Sequence, residues 1–262
     1  MNRLTTTLNN LKDNNQKALV AYLVAGDPSL DSTLDLMHLF VESGVDVIEI
    51  GVPFTDPIAE GPTIQKAHDR ALKNNISLKM IFGLVEEFRK KNDQTPIVLM
   101  GYLNTFISHI DLVESTSIID SILVVDIPGE LSLKDYGITN PNINTISLIS
   151  PTTTDDRVEL IAKNSTGFIY YVNLRGVTGS SNLNIDEIKN NIQKIKKYSD
   201  LPTLAGFGIK SANDAKMLAE CSDGVIIGSS IVEMINESAN SKEFARIGEY
   251  LKEIKQAISW TG

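Results

Sequence analysis

The chain has 262 residues, of which 42% are hydrophobic and 22% charged, a composition typical of a globular protein with one large α/β domain or two small ones. The net charge of -9 argues against binding to nucleic acid or to anionic membrane surfaces, because both require clustered Lys and Arg. A single cysteine, Cys221, excludes an intrachain disulfide. No signal peptide is visible, so we expect a soluble, cytoplasmic protein.

Eight apolar runs rich in β-branched residues follow one another along the chain, and most are followed by a segment of helical periodicity. The runs span 18–26, 45–51, 95–102, 121–128, 143–150, 167–173, 201–208 and 223–229. Apolar strands that alternate with helices indicate a parallel sheet covered by helices, and eight units are typical of a (β/α)8 TIM barrel. We therefore predict an α/β protein with a single TIM-barrel domain over 1–262. A doubly wound sheet fits less well, since VAGDPSLD (24–31) is not a dinucleotide-binding turn.

Glu49 stands in the second predicted strand, VDVIEIG, where an apolar residue is expected. If Val45 and Val47 point into the barrel, the alternation of strand side chains points Glu49 inward as well. Its carboxyl would then lie near the C-terminal end of the strand, where barrel enzymes have their active sites. Apolar surroundings should raise the pKa of this carboxyl to a value useful for proton transfer. The alternative is a Glu that points outward or pairs with a buried Lys.

The loop after this strand, GVPFTDPIAEGP, contains three prolines and two acids. The prolines restrict the loop, and Pro62 suits the first turn of the following helix. Asp56 and Glu60 therefore lie on a stiff segment just beyond Glu49. Two carboxyls at one barrel mouth can divide acid and base roles when their environments separate their pKa values.

Glycine-rich turns follow the sixth, seventh and eighth predicted strands, namely RGVTG (175–179), AGFGI (205–209) and IGSSI (227–231). Glycines allow backbone N–H groups to approach an anion, and the loops after strands seven and eight form the usual phosphate site of a TIM barrel. The sequence thus predicts a substrate with a phosphate and an apolar part. The apolar part would contact Tyr22, Met100, Leu123, Val125, Ile149 and Tyr170.

The three histidines, His38, His68 and His109, are too few and too scattered for a metal site, and no metal is expected. His68 falls on a predicted helix and His109 at the start of a loop, so both are predicted to lie at the surface.

Eight motifs together resemble the tryptophan synthase α subunit family. They are AYLVAGDP (21–28), EIGVPFTDPIAEGPTIQ (49–65), LMGYLN (99–104), DIP (126–128), SPTTTDDR (150–157), GVTG (176–179), GFGI (206–209) and GSSIV (228–232). They occur in order over essentially the whole chain, and EIGVPFTDPIAEGPTIQ is the most specific. The resemblance implies a lyase of tryptophan biosynthesis that cleaves indole-3-glycerol phosphate into indole and glyceraldehyde 3-phosphate by a retro-aldol reaction.

The resemblance also implies roles for individual residues. Glu49 matches the family's general acid and base, and Glu60 matches the acid that accepts the indole N–H. Tyr170 matches a tyrosine that packs beside the substrate, and Thr178 matches a threonine of the closing loop that hydrogen-bonds the loop acid. The residues that match the phosphate site are Gly179, Phe207, Gly208, Gly228 and Ser229.

A partner is implied as well. In the family, the α subunit binds a pyridoxal phosphate-dependent β subunit in an α2β2 tetramer, and indole passes between them through an internal tunnel. Pro53, Asp56 and Asn104 match regions that communicate with the β subunit. The resemblance implies no cofactor in the present subunit.

Two positions depart from the family pattern. Aspartate is usual where Glu60 stands, and the extra methylene adds about 1.5 Å of reach. From the sequence alone, Glu60→Asp is expected to cleave at an equal or faster rate. Asn173 and Leu174 replace a common Ser–Arg pair, which affects the expected closure of loop 174–184. Three alternatives stay open: a related barrel acting on another indole or sugar phosphate, a stand-alone lyase that releases indole, and a weak catalyst that mainly activates the β subunit. The Glu60 departure motivates the last of these.

Overall fold

Eight parallel strands form one closed barrel in chain order in the computed structural model, which describes residues 2–172, 184–238 and 244–259. The strands are β1 (Ala18–Val24), β2 (Val47–Gly51), β3 (Ile97–Gly101), β4 (Ser121–Val124), β5 (Asn144–Ile149), β6 (Ile169–Val172), β7 (Thr203–Gly206) and β8 (Gly224–Ile227). Each falls within one of the eight predicted apolar runs. The TIM-barrel prediction is confirmed.

Helices cover the outside of the barrel. In the described residues they are α1 (Arg3–Asp13), α2 (Leu30–Glu42), α3 (Pro62–Leu72), α4 (Leu78–Arg89), α5 (Leu103–Ile107), α6 (Ile110–Ser115), α7 (Asp155–Asn164), α8 (Ile185–Ile195), α9 (Ala212–Ala219), α10 (Ser229–Ser238) and α11 (Ala245–Ser259), with a 3-10 turn at Leu133–Tyr136. As predicted, α3 begins at Pro62, where the missing N–H of proline breaks no helical hydrogen bond. None of these helices is long and apolar enough to cross a membrane.

The interior of the barrel is filled at its N-terminal end. Leu4, Leu8 and Leu11 of α1 pack there against inward side chains of the strands. The inward side chains are Val20, Val47, Val98, Leu123, Ile146, Leu204 and Ile226. The helix α1 therefore covers one end of the barrel, and the strands finish at the opposite end.

The prediction that Val45 points into the barrel is wrong. Val45 packs in the outer cluster between strands and helices, together with Ile48 and Ile50, whereas Val47 packs in the interior. The reason is that β2 begins at Val47, so strand alternation does not extend back to Val45. Val45 belongs instead to the turn after α2, in which Gly44 adopts a φ of +88°. From Val47 onward the alternation holds, and it directs Glu49 inward.

Candidate active site

Glu49 carries a buried carboxyl at the open end of the barrel. It pairs in register with Tyr22 of β1 and Val98 of β3, and only 1% of its surface is exposed. Its Oε1 atom is buried and has no hydrogen-bond partner among the described residues. Burial disfavours the charged form and raises the pKa of Glu49 from its ordinary 4.5 to about 8. The carboxyl is therefore protonated at neutral pH and can act as a general acid.

Glu60 is held by Tyr102, which follows β3. The Tyr102 hydroxyl donates a hydrogen bond to Oε2 of Glu60 at 2.5 Å and accepts one from the Ala59 N–H at 3.0 Å. Burial raises the pKa of Glu60, although the bond from Tyr102 acts in the opposite direction by stabilising the carboxylate. Sequence reasoning did not identify Tyr102 as a site residue, although the residue lies within the LMGYLN motif.

The loop that carries Glu60 is fixed by its neighbours on α3 and after β3. The Phe54 ring stacks on the Tyr102 ring at 4.3 Å between centroids, and the Phe54 N–H donates to Nδ1 of His68 at 3.0 Å. At the other end of the loop, the side chain of Gln65 donates to the Glu60 carbonyl at 2.9 Å. The loop acid is therefore positioned by packing as well as by the prolines.

His68 is not at the surface, so that prediction is wrong. The ring is 1% exposed because it lies on the face of α3 that carries Ala67 and Ala71 inward. Its Nε2 atom has no hydrogen-bond partner. Burial lowers the pKa of His68 to about 4, so the ring is neutral and accepts the Phe54 N–H through Nδ1.

Two tyrosines extend across glycines of the adjacent strands. A Cβ placed on Gly51 of β2 would overlap the hydroxyl of Tyr22, and a Cβ placed on Gly206 of β7 would lie 2.6 Å from the hydroxyl of Tyr170. Only glycine leaves room for either ring. Burial raises the pKa of both hydroxyls well above the ordinary value, and the nearby Glu49 adds to this effect. Both tyrosines remain neutral donors.

The prediction of residues that contact the apolar part of the substrate is partly correct. Met100 is half-buried and packs against both the barrel interior and the cluster that contains Tyr22. Ile149 cannot make this contact, because its side chain points outward into the cluster beneath the helices. Leu148, its neighbour on β5, packs against the interior instead.

The described residues predicted to bind phosphate lie at the ends of β7 and β8. Gly208 has a φ of +57° and open space where a Cβ would stand, and the Gly228 position is 3.4 Å from the Tyr22 ring. Ser229 is the first residue of α10. The Phe207 ring packs against the Tyr171 ring at 5.3 Å between centroids. Thr178 and Gly179 lie outside the described residues, as does most of loop 174–184.

The turns after β7 and β8 are also joined to each other. The Ser230 hydroxyl donates a hydrogen bond to the Ile209 carbonyl at 2.5 Å. The N-terminal end of α10 and the glycines of the β7 turn therefore border one small region, which can receive an anion through backbone N–H groups.

The residues predicted to contact a partner differ in exposure. Asp56 and Asn104 are exposed, whereas Pro53 is buried, so the Pro53 side chain is not accessible for a direct contact. Beside Asp56, Ile58 is 76% exposed, and Ile107 and Leu131 are other exposed apolar residues.

Comparison with known proteins gives one consistent family. The family model described as Tryptophan synthase alpha chain matches residues 8–259. The Tryptophan synthase alpha chain of Nitrosomonas europaea is 42% identical over 263 residues, covering 98% of this chain and 96% of the relative. The protein of the same name from Neisseria meningitidis serogroup B is 43% identical over 252 residues, covering 92% and 94%.

Solved structures agree. The crystal structure of tryptophan synthase subunit alpha from Legionella pneumophila has a TM-score of 0.87 at 37% identity, and the match covers 98% of each chain. A crystal structure of tryptophan synthase from M. tuberculosis in its aminoacrylate-bound form has a TM-score of 0.85 at 25% identity, covering 98% of this chain and 100% of the other.

The buried His68 makes the fold sensitive to acid. An unfolded chain binds a proton on His68 below about pH 6.5, whereas the folded chain does so only near pH 4. Above pH 6.5 the neutral His68 ring therefore costs the folded state nothing. As the pH falls from 6.5 to 4, the free energy of unfolding decreases by up to about 3 kcal/mol, because the unfolded chain gains a proton that the folded chain does not. His68→Asn, whose Oδ1 can still accept the Phe54 N–H, should flatten this part of the curve in denaturant titrations.

His109→Asn is the matched control, since the His109 ring is exposed. It should keep the pH dependence of the unaltered chain. An unchanged slope in His68→Asn would contradict the assignment of acid sensitivity to His68.

Proposed function

Because the chain belongs to the tryptophan synthase alpha chain family, we propose that Glu49 and Glu60 carry out the family's reaction at the open end of this barrel. That reaction is the retro-aldol cleavage of indole-3-glycerol phosphate into indole and glyceraldehyde 3-phosphate, a carbon–carbon lyase step of tryptophan biosynthesis. The observation that carries the proposal is the Glu49 carboxyl, which burial keeps protonated near neutral pH.

Proton transfer by Glu49 accounts for both halves of the reaction. Its carboxyl gives a proton to C3 of the indole ring, while Glu60 stabilises the positive charge that develops at the ring N–H. The Glu49 carboxylate then takes the proton of the hydroxyl on the carbon attached to C3. As the C–O bond becomes C=O, the C–C electron pair returns to the ring and indole leaves. Glu49 ends protonated, ready for the next cycle.

The glycine turns bind the phosphate in this proposal. Backbone N–H groups around Gly208 and Gly228, and the start of α10 at Ser229, supply donors without a metal ion. Tyr22, Met100 and Tyr170 contact the rest of the substrate. Thr178 and Gly179 are proposed from the resemblance alone.

The partner in this proposal is a tryptophan synthase β subunit that carries pyridoxal phosphate, with α2β2 stoichiometry and transfer of indole between the subunits. The exposed Asp56, Ile58 and Asn104 support this proposal, because they present polar and apolar surface beside the site. The α subunit itself needs no cofactor, and the complex acts in the cytoplasm.

Replacing Glu49 by Gln should abolish cleavage while leaving substrate binding intact. Gln matches the neutral carboxyl in size but cannot transfer a proton, so indole release should fall by at least about 100-fold. Affinity for indole-3-glycerol phosphate, measured by calorimetry, should change little. In the unaltered chain, kcat/KM should fall as the pH rises through about 8, where Glu49 loses its proton.

Glu159→Gln is the matched control, since Glu159 is exposed on α7, and it should retain full activity. Turnover in Glu49→Gln equal to that of the unaltered chain would overturn the proposed role of Glu49.

Replacing Glu60 by Asp should slow cleavage, in contrast to the expectation from sequence alone. The shorter side chain withdraws the carboxylate by about 1.5 Å and breaks the bond from Tyr102, and such a displacement costs about 10- to 100-fold in rate. Single-turnover indole release measures the effect. A rate at or above that of the unaltered chain would show that cleavage does not depend on the length of the Glu60 side chain.

Adding the β subunit should accelerate indole release by the purified chain. A strong increase over the rate of the isolated chain supports the coupled complex. A fast rate that β does not change would contradict the proposed partner and favour a stand-alone lyase.

A further inference from the structure

The hydroxyl of Tyr22 has no hydrogen-bond partner within residues 2–172, 184–238 and 244–259. The residue is 2% exposed, and Tyr22 is the one tyrosine in the described ranges whose buried hydroxyl makes no hydrogen bond. Buried polar atoms are normally paired, so an unpaired donor at a ligand site points to a missing acceptor. The ring contacts alone would be satisfied by phenylalanine, which lacks only this oxygen.

The ring is fixed in a direction that places the hydroxyl close to Glu49. On one side, the Gly228 Cβ position is 3.4 Å from the Tyr22 ring, and on the other the hydroxyl fills the space above Gly51. Residues 49 and 51 lie two apart on β2, so their inward directions coincide. The Tyr22 hydroxyl therefore lies over Gly51, two residues beyond Glu49 toward the barrel mouth, on the same inward face of β2.

The Oε1 atom of Glu49 is the second unpaired polar atom in this region. One substrate hydroxyl can satisfy both, because a hydroxyl donates one hydrogen bond and accepts others. It would donate to Glu49 and accept from Tyr22. In the proposed reaction the hydroxyl that meets Glu49 is the one on the carbon attached to indole C3.

We propose that Tyr22 is a catalytic residue whose O–H donates a hydrogen bond to the oxygen of the substrate hydroxyl that Glu49 deprotonates. This inference rests on the proposed function and names a further group in that reaction. When Glu49 removes the proton, negative charge develops on the hydroxyl oxygen before its electron pair forms C=O and the C–C pair enters the ring. A fixed donor at that oxygen stabilises this charge in a site shielded from water. Tyr22 keeps its own proton throughout.

The other two tyrosines near the mouth are placed differently. The Tyr102 hydroxyl is already bound to Glu60 and to the Ala59 N–H. Tyr170 extends over Gly206 of β7, on the side of the glycine turns. Tyr22 is the tyrosine that stands beside Glu49 on the neighbouring strand.

Tyr22→Phe removes the hydroxyl and keeps the ring. We expect kcat for cleavage of indole-3-glycerol phosphate to fall about 100-fold, the effect of losing one donor to a developing oxyanion. The second probe is an analogue of indole-3-glycerol phosphate in which CH2 replaces the CHOH group attached to indole C3. The unaltered chain and Tyr22→Phe should bind this analogue with equal affinity, because the analogue lacks the hydroxyl oxygen that the Tyr22 O–H would bind.

Tyr171→Phe is the matched control. It also removes a buried tyrosine hydroxyl, but one that accepts a hydrogen bond from Asn191 outside the barrel, so cleavage should be unchanged. Thermal unfolding of each variant verifies that the fold is kept.

Two results would overturn the inference. Cleavage by Tyr22→Phe within about threefold of the unaltered rate would exclude the hydroxyl from the reaction. A loss of affinity for the methylene analogue as large as the loss in kcat would show that Tyr22 only shapes the pocket. Failure of the unaltered chain to cleave the substrate would overturn the proposed function and this inference with it.

Discussion

The site depends on one unfavourable arrangement, the buried carboxyl of Glu49, which has no countercharge within the part of the chain that the structure describes. Ionising Glu49 in place would leave a charge without solvent, and this cost holds the proton on the carboxyl to about pH 8. The fold keeps Glu49 buried on the side of the N-terminal end of the barrel, because α1 and the inward valines of β2 and β3 fill the interior up to the level of Glu49. The proposed proton transfer from Glu49 is then directed toward the open end of the barrel.

A second set of contacts holds the loop acid against this fixed centre. His68 binds the Phe54 N–H, the Phe54 ring stacks on Tyr102, and Tyr102 binds Glu60. In this connected set the Glu60 side chain reaches the hydroxyl of Tyr102, which follows the adjacent strand β3. The same loop exposes Ile58 at the surface. A partner that binds there would contact the segment that positions Glu60, which gives a physical route for coupling.

The barrel and the position of Glu49 could be predicted from the sequence, because eight apolar runs and the alternation inside β2 are local signals. The alternation does not reach Val45, because that residue precedes the start of β2. Within β5 the alternation holds, and Ile149 points outward because its neighbour Leu148 points inward. Local signals fail for contacts between distant segments. Tyr102 lies 42 residues from the carboxyl that it binds. No local pattern encodes the contact of Tyr102, whereas the spacing of Ile64, His68 and Ala71 on α3 is a helical signal that His68 is buried.

The most direct test is the ionisation of Glu49 itself, measured by infrared difference spectroscopy between the unaltered chain and Glu49→Gln over a range of pH. A buried, neutral Glu49 predicts the carbonyl band of a protonated carboxyl at pH 7, lost on titration with a midpoint near 8. A midpoint near 4.5, the ordinary pKa of a glutamate, would mean that the carboxyl is charged at neutral pH. That result would contradict its role as the acid that protonates the ring.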